Sequence, residues 1–229
     1  IVSQNYTSSG TDIEYVASSD SLREYCIFTT DQAYAPTACS SVQNQNLHGL
    51  LQADFIIVTH PLVMEEAQRI AKLHEQYDTL SYAIATTEQV YNEFSSGTPD
   101  IGGIREFIKM LYHRPVDPEK ATRYVLLLGD GSYKNKEINV QGNTALIPTY
   151  ETPASASYVE SYVSDDYFAM MDDTEGDLVD NDIVDVGMGR YPVRNKAEAI
   201  AVTAKIENYY KLNYSFNVNA VESSCVPAE

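Results

Sequence analysis

The chain has 229 residues, and its 15 Lys and Arg against 33 Asp and Glu give a formal net charge of −18 at neutral pH. Binding to nucleic acid or to an anionic membrane surface depends on concentrated positive charge, so we exclude both as partners. The apolar fraction of 44% argues against disorder and allows a sizeable core. No apolar run is long enough to cross a bilayer, so no membrane insertion is expected.

The N-terminal 45 residues differ in composition from the rest of the chain. They are rich in Ser, Thr, Asn and Gln, and Arg23 is their only basic residue. One short apolar run at 25–28 and the polar stretches around it predict strands and loops. The sequence starts at Ile1 without a Met or a signal-peptide pattern, which indicates a processed product or a piece of a longer protein. We therefore interpret residues 1–45 as the end of a preceding domain.

From about Asn46, compact apolar runs alternate with amphipathic stretches, as in a parallel sheet covered by helices. The apolar runs predict strands at 55–59, 80–85, 124–129 and 183–187, of which the third is central. The order of the elements predicts an open, mostly parallel α/β sheet with helices on both faces. This domain is assigned to residues 46–212, and 213–229 are a tail or the start of a further subdomain.

Four helices are predicted, three between these strands and one after the last strand. The first starts at Pro61 and runs to about Gln76. The second starts at the capping pair Thr86 and Gln89 and ends at about Phe94. Thr98 is the predicted cap of the third helix. The last helix has Asn195 and Glu198 as its capping pair, and its predicted buried face is Ala199, Val202, Ile206 and Tyr209.

The carboxyl ends of the predicted strands are the first place to look for chemistry, because ligands of open parallel sheets bind there. His60 and Asp130 follow two strands, and Ser132 is close behind Asp130. One hypothesis is a small hydrolase with Ser132 as nucleophile, His60 as base and Asp130 as orienting acid. The alternative is structural: His60 caps a helix and Asp130 closes a tight turn. The surrounding sequence matches neither a nucleophile elbow nor a phosphate loop, so no catalytic residue is assigned.

Acidic residues concentrate between Glu151 and Arg190, with a cluster from Asp172 to Asp182. Crowded oxygen ligands suit calcium, although the spacing departs from an EF-hand loop. A solvated acidic connection is the alternative, so no metal or other cofactor is assigned.

The three cysteines are too few for a disulfide scaffold. Cys26 and Cys39 could close a hairpin disulfide in an oxidising compartment, and this possibility stays open. Cys225 has no base and no capped helix start beside it, so an incidental free thiol is expected rather than a nucleophile.

Five motifs resemble, in order and spacing, the gingipain family of cysteine peptidases, which has a caspase-like fold. They lie at 42–50, 53–61, 126–133, 164–169 and 186–193. The likeness is greatest to the sortase branch of the family, which serves type IX secretion. It implies the first of two subdomains, because the family's Gly-His-Gly motif and nucleophilic Cys belong to the second subdomain and neither motif occurs here.

The resemblance implies a parent that removes C-terminal sorting domains from secreted cargo and attaches the cargo to a surface acceptor. Its partners would be the missing catalytic subdomain, protein cargo and outer-membrane secretion components, and its location would be extracellular or on the cell surface. The fragment alone is expected to be inactive. Two rival hypotheses are a non-enzymatic, calcium-stabilised surface module and the Ser132, His60 and Asp130 hydrolase.

Overall fold

A computed structural model describes residues 5–18, 20–29, 31, 33–34, 41–114, 121–135, 142–154, 156–176 and 182–224, without the side chains of 213–224. The chain divides into two compact units, Ile1–Gln43 and Asn44–Glu229. In the first unit, strands β1 (Thr7–Ser9) and β2 (Asp12–Glu14) form an antiparallel hairpin. Every described residue of this unit is exposed, and the apolar run at 25–28 is irregular rather than a strand.

The second unit contains a four-stranded sheet and a short antiparallel pair of strands. Its strands are β3 (Phe55–Thr59), β4 (Tyr82–Thr86), β5 (Tyr124–Leu128), β6 (Tyr150–Glu151), β7 (Val163–Ser164) and β8 (Gly187–Tyr191). The four-stranded sheet has the order β4-β3-β5-β8 and is parallel throughout, while β6 pairs with β7. The predicted parallel α/β sheet is therefore confirmed.

The first and third predicted strands occupy the inside of the sheet. All five residues of β3 are buried, which agrees with a β-branched run that packs on both faces. In β5, Leu127 and Leu128 are completely buried. Because the sheet has four strands, β5 shares the central position with β3.

The fourth predicted strand is wrong in its position. We expected it to begin at Ile183, which is exposed, and the strand begins at Gly187 instead. The N–H of Gly187 donates to Arg123 O at 2.8 Å and starts the ladder with β5. Asp185 binds a different segment, since its N–H donates to Ala169 O at 3.0 Å. The apolar run that starts at Ile183 is thus a loop. The strand itself was missed because its glycines have a low strand propensity.

Four α-helices surround the sheet: α1 (Met64–Asp78), α2 (Thr87–Phe94), α3 (Ile101–Tyr112) and α4 (Lys196–Ser224). The helices pack in two pairs, α1 with α4 and α2 with α3. The predicted capping box of α2 is confirmed: Gln89 N–H donates to Thr86 Oγ1 at 3.2 Å, and Thr86 N–H donates to Gln89 Oε1 at 2.9 Å. A short 3₁₀ turn, Pro61–Val63, precedes α1.

The predicted start of α3 is wrong by two residues. The cap is Asp100, whose Oδ1 accepts from Gly102 N–H at 2.8 Å. Thr98 belongs to the preceding turn, where its N–H donates to Ser95 O and its carbonyl accepts from the Ser95 hydroxyl. Thr98 and Asp100 are both favourable N-cap residues, so the sequence does not distinguish them. The turn that holds Thr98 makes Asp100 the cap.

Helix α4 begins as predicted, with Glu198 N–H donating to Asn195 Oδ1 at 3.0 Å. Ala199 is buried, but Tyr209 is 66% exposed, so the predicted face is wrong at its last member. Four polar contacts bind α4 to α1: Lys196 to Glu65, Arg69 to Glu207, and the Tyr210 hydroxyl to both His74 and Asp78. The helix continues to Ser224, so no element boundary coincides with the predicted domain end at 212. No helix within the described residues is long and apolar enough to span a membrane.

Candidate functional site

The carboxyl ends of β3, β5 and β8 meet at one edge of the sheet, where the loop after β5 faces the β6–β7 pair. An open groove of about 480 Å³ lies there. Its lining is dominated by hydroxyl and carboxylate side chains with two tyrosines. The lining residues are Asp130, Gly131, Ser132, Tyr133, Thr149, Ser161, Tyr162, Val163, Ser164, Asp165 and Arg190.

Arg190 organises the floor of this groove. Its Nε and Nη2 donate to the two carboxylate oxygens of Asp165 at 2.8 and 2.7 Å. The remaining donors reach main-chain carbonyls: Gly129 O at 3.0 Å, Ile147 O at 3.2 Å and Pro148 O at 3.1 Å. A guanidinium has five N–H donors, so all of them are occupied. Arg190 is therefore a structural clamp and offers no donor to an anionic ligand.

The turn after β5 depends on close packing around Gly131. A Cβ at this position would lie 2.3 Å from Thr149 Cγ2, so only glycine fits. Asp130 closes the turn, because its Oδ1 accepts from Gly131 N–H at 3.0 Å and its carbonyl accepts from the N–H groups of Leu146 and Ile147. These contacts agree with the structural alternative for Asp130, in which it closes a tight turn.

The three residues of the hydrolase hypothesis lie at the predicted edge but make separate contacts. His60 Nδ1 accepts from Leu62 N–H at 3.2 Å and caps the turn before α1. Partial burial lowers the pKa of His60, against an opposing influence of Glu88. Ser132 Oγ accepts from Lys134 N–H at 3.1 Å. Among the described residues, no hydrogen bond joins Ser132, His60 and Asp130 to one another, so this geometry does not present a nucleophile with its base.

The acidic stretch is anchored by a buried arginine. Arg105 donates to the carbonyls of Met170 at 2.7 Å, Asp172 at 3.0 Å and Glu175 at 3.0 Å. Asp172 and Asp173 are themselves exposed. Within the described residues, no three His, Cys, Asp or Glu side chains converge as metal ligands. Residues 177–181, which include two aspartates of the acidic cluster, lie outside the described part of the chain.

Glu93 anchors the segment that carries the first family-like motif. Its Oε1 accepts from Leu47 N–H at 2.7 Å and from Gln45 Nε2 at 2.9 Å, and its Oε2 lies 2.6 Å from His48 Nδ1. The His48 ring also stacks on Phe94, with centroids 4.6 Å apart. Burial opposes ionisation of Glu93, but the hydrogen bonds outweigh it and lower the pKa of this carboxyl from 4.5 to about 2. The motif histidine is thus part of a structural anchor.

Of the three cysteines, Cys26 is exposed in the first unit. Cys39 and Cys225 lie outside the described residues, so the possibility of a Cys26–Cys39 disulfide stays open and the expected inert thiol of Cys225 stays a prediction.

The fold and the sequence together identify the class of protein. The family model of peptidase family C25 matches residues 48–225, most of the α/β unit. The chain therefore belongs to peptidase family C25, the gingipain family, and the expected resemblance is confirmed. A comparison with curated proteins gives no match.

Among solved structures, the chain is similar to dimeric latent PorU from Porphyromonas gingivalis, at 36% identity and a TM-score of 0.65. The match covers 76% of this chain and 17% of the PorU chain, so this chain spans less than a fifth of that relative. Another match is to a structure described as a protease, at 15% identity and a TM-score of 0.43, which covers 68% of this chain and 27% of that one.

The residues that sequence reasoning missed are the ones that hold the edge together. Arg190 and Asp165 were seen as parts of two separate motifs, and neither motif indicates that they pair across 25 positions. The one cue was chemical. Asp165 lies in a run with a second acid beside aromatic residues, and Arg190 is the only cation after it in a long acidic stretch, so a buried partner could have been inferred.

Proposed function

We propose that this chain is the first, non-catalytic subdomain of a gingipain-like cysteine peptidase that acts as a sortase in type IX secretion. Its parent would remove C-terminal sorting domains from secreted cargo and attach the cargo to a surface acceptor, outside the cell or on its surface. The observation that carries the proposal is the match to PorU, at 36% identity over 76% of this chain but only 17% of PorU.

The contacts at the sheet edge support the non-catalytic part of this proposal. A cysteine peptidase needs a thiolate activated by an imidazole and donors for the oxyanion. In the described residues of the α/β unit, the polar groups at the edge hold structure instead: Arg190 binds Asp165, and His60 caps a turn. The sequence also has no Gly-His-Gly motif. The subdomain would then shape and support a neighbouring active site rather than form one.

The contacts that fix the carboxyl edge of the sheet also favour a structural role for this subdomain. Arg190 ties β8 to the loop after β5, to the segment before β6 and to the residue after β7. Such a clamp fixes the loops at the carboxyl edge of the sheet without presenting a reactive group. This edge would give a neighbouring catalytic subdomain a rigid surface to pack against. A rigid support of this kind helps to hold reacting groups in position.

The thiols offer a direct experiment. Each cysteine of the isolated 229-residue chain is alkylated with iodoacetamide at pH 7 beside free cysteine, with Cys26→Ala and Cys225→Ala as matched variants. We expect no cysteine to react much faster than free cysteine, because an activated nucleophile needs a nearby imidazole, cation or helix start. In parallel, a fluorophosphonate should leave Ser132 unlabelled. Rapid alkylation of Cys225 would contradict the proposal, and labelling of Ser132 would favour the hydrolase.

A further inference from the structure

His60 connects the carboxyl end of β3 to the 3₁₀ turn that leads into α1. It is partly buried, and the turn Pro61–Val63 packs against both α1 and α4. The His60 carbonyl accepts from Val63 N–H at 3.0 Å, and its ring nitrogen Nδ1 accepts from Leu62 N–H at 3.2 Å. Because Pro61 has no N–H, Leu62 carries the first donor of the turn, and the His60 ring is the partner of that donor.

The bond between the ring and Leu62 exists in only one protonation state of His60. Because Nδ1 accepts through its lone pair, the hydrogen of the neutral ring is on Nε2. A protonated imidazole carries a hydrogen on both nitrogens and accepts no hydrogen bond. Its Nδ1–H would face the Leu62 N–H, donor against donor, so protonation of His60 removes the cap from the turn. The cap therefore depends on pH in the range where histidines titrate.

The charges around His60 act on this equilibrium. Partial burial lowers the pKa of the ring from 6.5 and outweighs the charge of Glu88, which favours the protonated ring. Glu88 lies in the first turn of α2, directly after β4, which is the neighbour of β3 in the sheet. Charged groups on α1, around the start of α4 and in the loop after β5 have partners of their own: Glu65 with Lys196, Glu66 with Arg69, Arg194 with Glu198, and Asp130 with Gly131 N–H.

The Glu88 carboxylate is available to a protonated His60. Glu88 is exposed, and within the described residues no hydrogen bond or ion pair holds its side chain. An imidazolium forms a strong hydrogen bond with a carboxylate, because both groups are charged. We propose that His60 is a pH-sensitive switch at the carboxyl edge of the sheet: the neutral ring caps the turn before α1, and the protonated ring leaves Leu62 and donates to Glu88 on α2. The edge then has two arrangements, one at neutral pH and one in mildly acidic surroundings.

NMR of the isotope-labelled 229-residue chain, between about pH 8 and 5, follows the ring and the turn together. At the alkaline end, the hydrogen of the His60 ring should be on Nε2. As the pH falls, the His60 ring and Leu62 amide signals should change with one common midpoint below 6.5, and Overhauser contacts should then connect the ring with the Glu88 side chain. Glu88→Gln should lower the midpoint further, since it removes the charge that favours the protonated ring. Glu75→Gln, which removes an exposed carboxylate on α1, should leave the midpoint unchanged.

Two substitutions of His60 separate the cap from its pH dependence. In His60→Asn, the amide oxygen accepts from Leu62 at every pH, so the Leu62 signal should stay constant from about pH 8 to 5. The His60 cap stabilises the chain above pH 6.5 and is lost as the pH falls through the lowered pKa of the ring. The urea midpoint should therefore fall less between about pH 7 and 5 in His60→Asn than in the parent, and His60→Ala should lower it already at neutral pH.

Four results would each overturn the proposal. They are a ring hydrogen on Nδ1 at neutral pH, a midpoint for His60 above 6.5, a Leu62 signal that does not follow the ring, and an equal midpoint in Glu88→Gln and the parent.

Discussion

Arg190 and Asp165 form a bidentate ion pair, with the two carboxylate oxygens 2.8 and 2.7 Å from the guanidinium nitrogens, across the carboxyl edge of the sheet. The Arg190 side chain is only 10% exposed. Because the same guanidinium also binds three main-chain carbonyls, one side chain connects β8 to the loop after β5 and to both ends of the β6–β7 region. This clamp joins β8 to the β6–β7 pair, which is not part of the four-stranded sheet.

Arg190→Met should therefore lower the free energy of unfolding strongly, by about 3–5 kcal/mol, since it leaves the Asp165 carboxylate and three carbonyls without a partner. Arg190→Lys should recover only part of the loss, because an ammonium cannot reproduce the planar fork. Urea denaturation measures both variants. Arg194→Ala is the matched control, since its pair with Glu198 is on the exposed surface, and it should change stability little. A loss below about 1 kcal/mol for Arg190→Met would contradict the clamp.

The position of the fourth strand can be tested by a pair of polar substitutions. Leu127 is completely buried in β5, so Leu127→Asn should cost several kcal/mol, about the cost of burying an unpaired amide in a packed core. Ile183 is 69% exposed, so Ile183→Asn should change stability by less than about 0.5 kcal/mol. Thermal or urea unfolding of the two variants provides the comparison. An equally large loss for Ile183→Asn would place that residue in the core.

Glu93 should make the stability depend on acid pH. Its pKa is about 2 in the folded chain against an ordinary value of 4.5, so the unfolded state binds the proton more readily. The stabilisation is complete above about pH 4.5 and is lost as the pH falls toward 2. Glu93→Gln should cost about 1–3 kcal/mol at pH 7 and flatten the decline between pH 4.5 and 2. Unfolding measured across this range, with Glu75→Gln as the charge control, checks the effect; identical slopes for Glu93→Gln and the parent would refute it.

Calcium should not bind tightly to the acidic stretch. Arg105 already donates to the carbonyls of Met170, Asp172 and Glu175, so the positive charge of its guanidinium opposes a calcium ion at these oxygens. Calorimetric titration at moderate salt should show no site tighter than about millimolar, the weak end of extracellular calcium sites. Asp173→Asn should leave the titration unchanged. A micromolar site would instead support the calcium-stabilised module.

The parts of the fold that sequence predicts well are those with a local cause. The buried run of β3 and the Thr86–Gln89 capping box depend on residues that are neighbours in the chain, and both are found as predicted. The start of β8 depends on Gly187 meeting Arg123, which is far away in sequence, and the local apolar run at Ile183 gave the wrong strand. Local patterns cannot specify a register that is set by a distant partner.

The candidate site follows the same division. The sequence predicted that His60 and Asp130 lie at the carboxyl edge of the sheet, because each follows a strand and the carboxyl ends of parallel strands meet there. Whether side chains at one edge bind each other depends on rotamers and turns, and here the Asp130 carboxylate closes its own turn while His60 caps another. The clamp joins Arg190 on β8 to Asp165 after β7, 25 positions apart in sequence, and leaves no local pattern.

The most direct test of a non-catalytic first subdomain is peptide cleavage by the isolated 229-residue chain, compared with the same chain joined to the remainder of its parent protein. Both are incubated with a library of peptides that vary the residue at the cleaved bond, and products are identified by mass spectrometry. We predict no cleavage by the isolated chain and cleavage by the joined protein, abolished by alkylation of a thiol outside residues 1–229. Cleavage by the isolated chain that is lost in Cys225→Ala or Ser132→Ala would contradict the account.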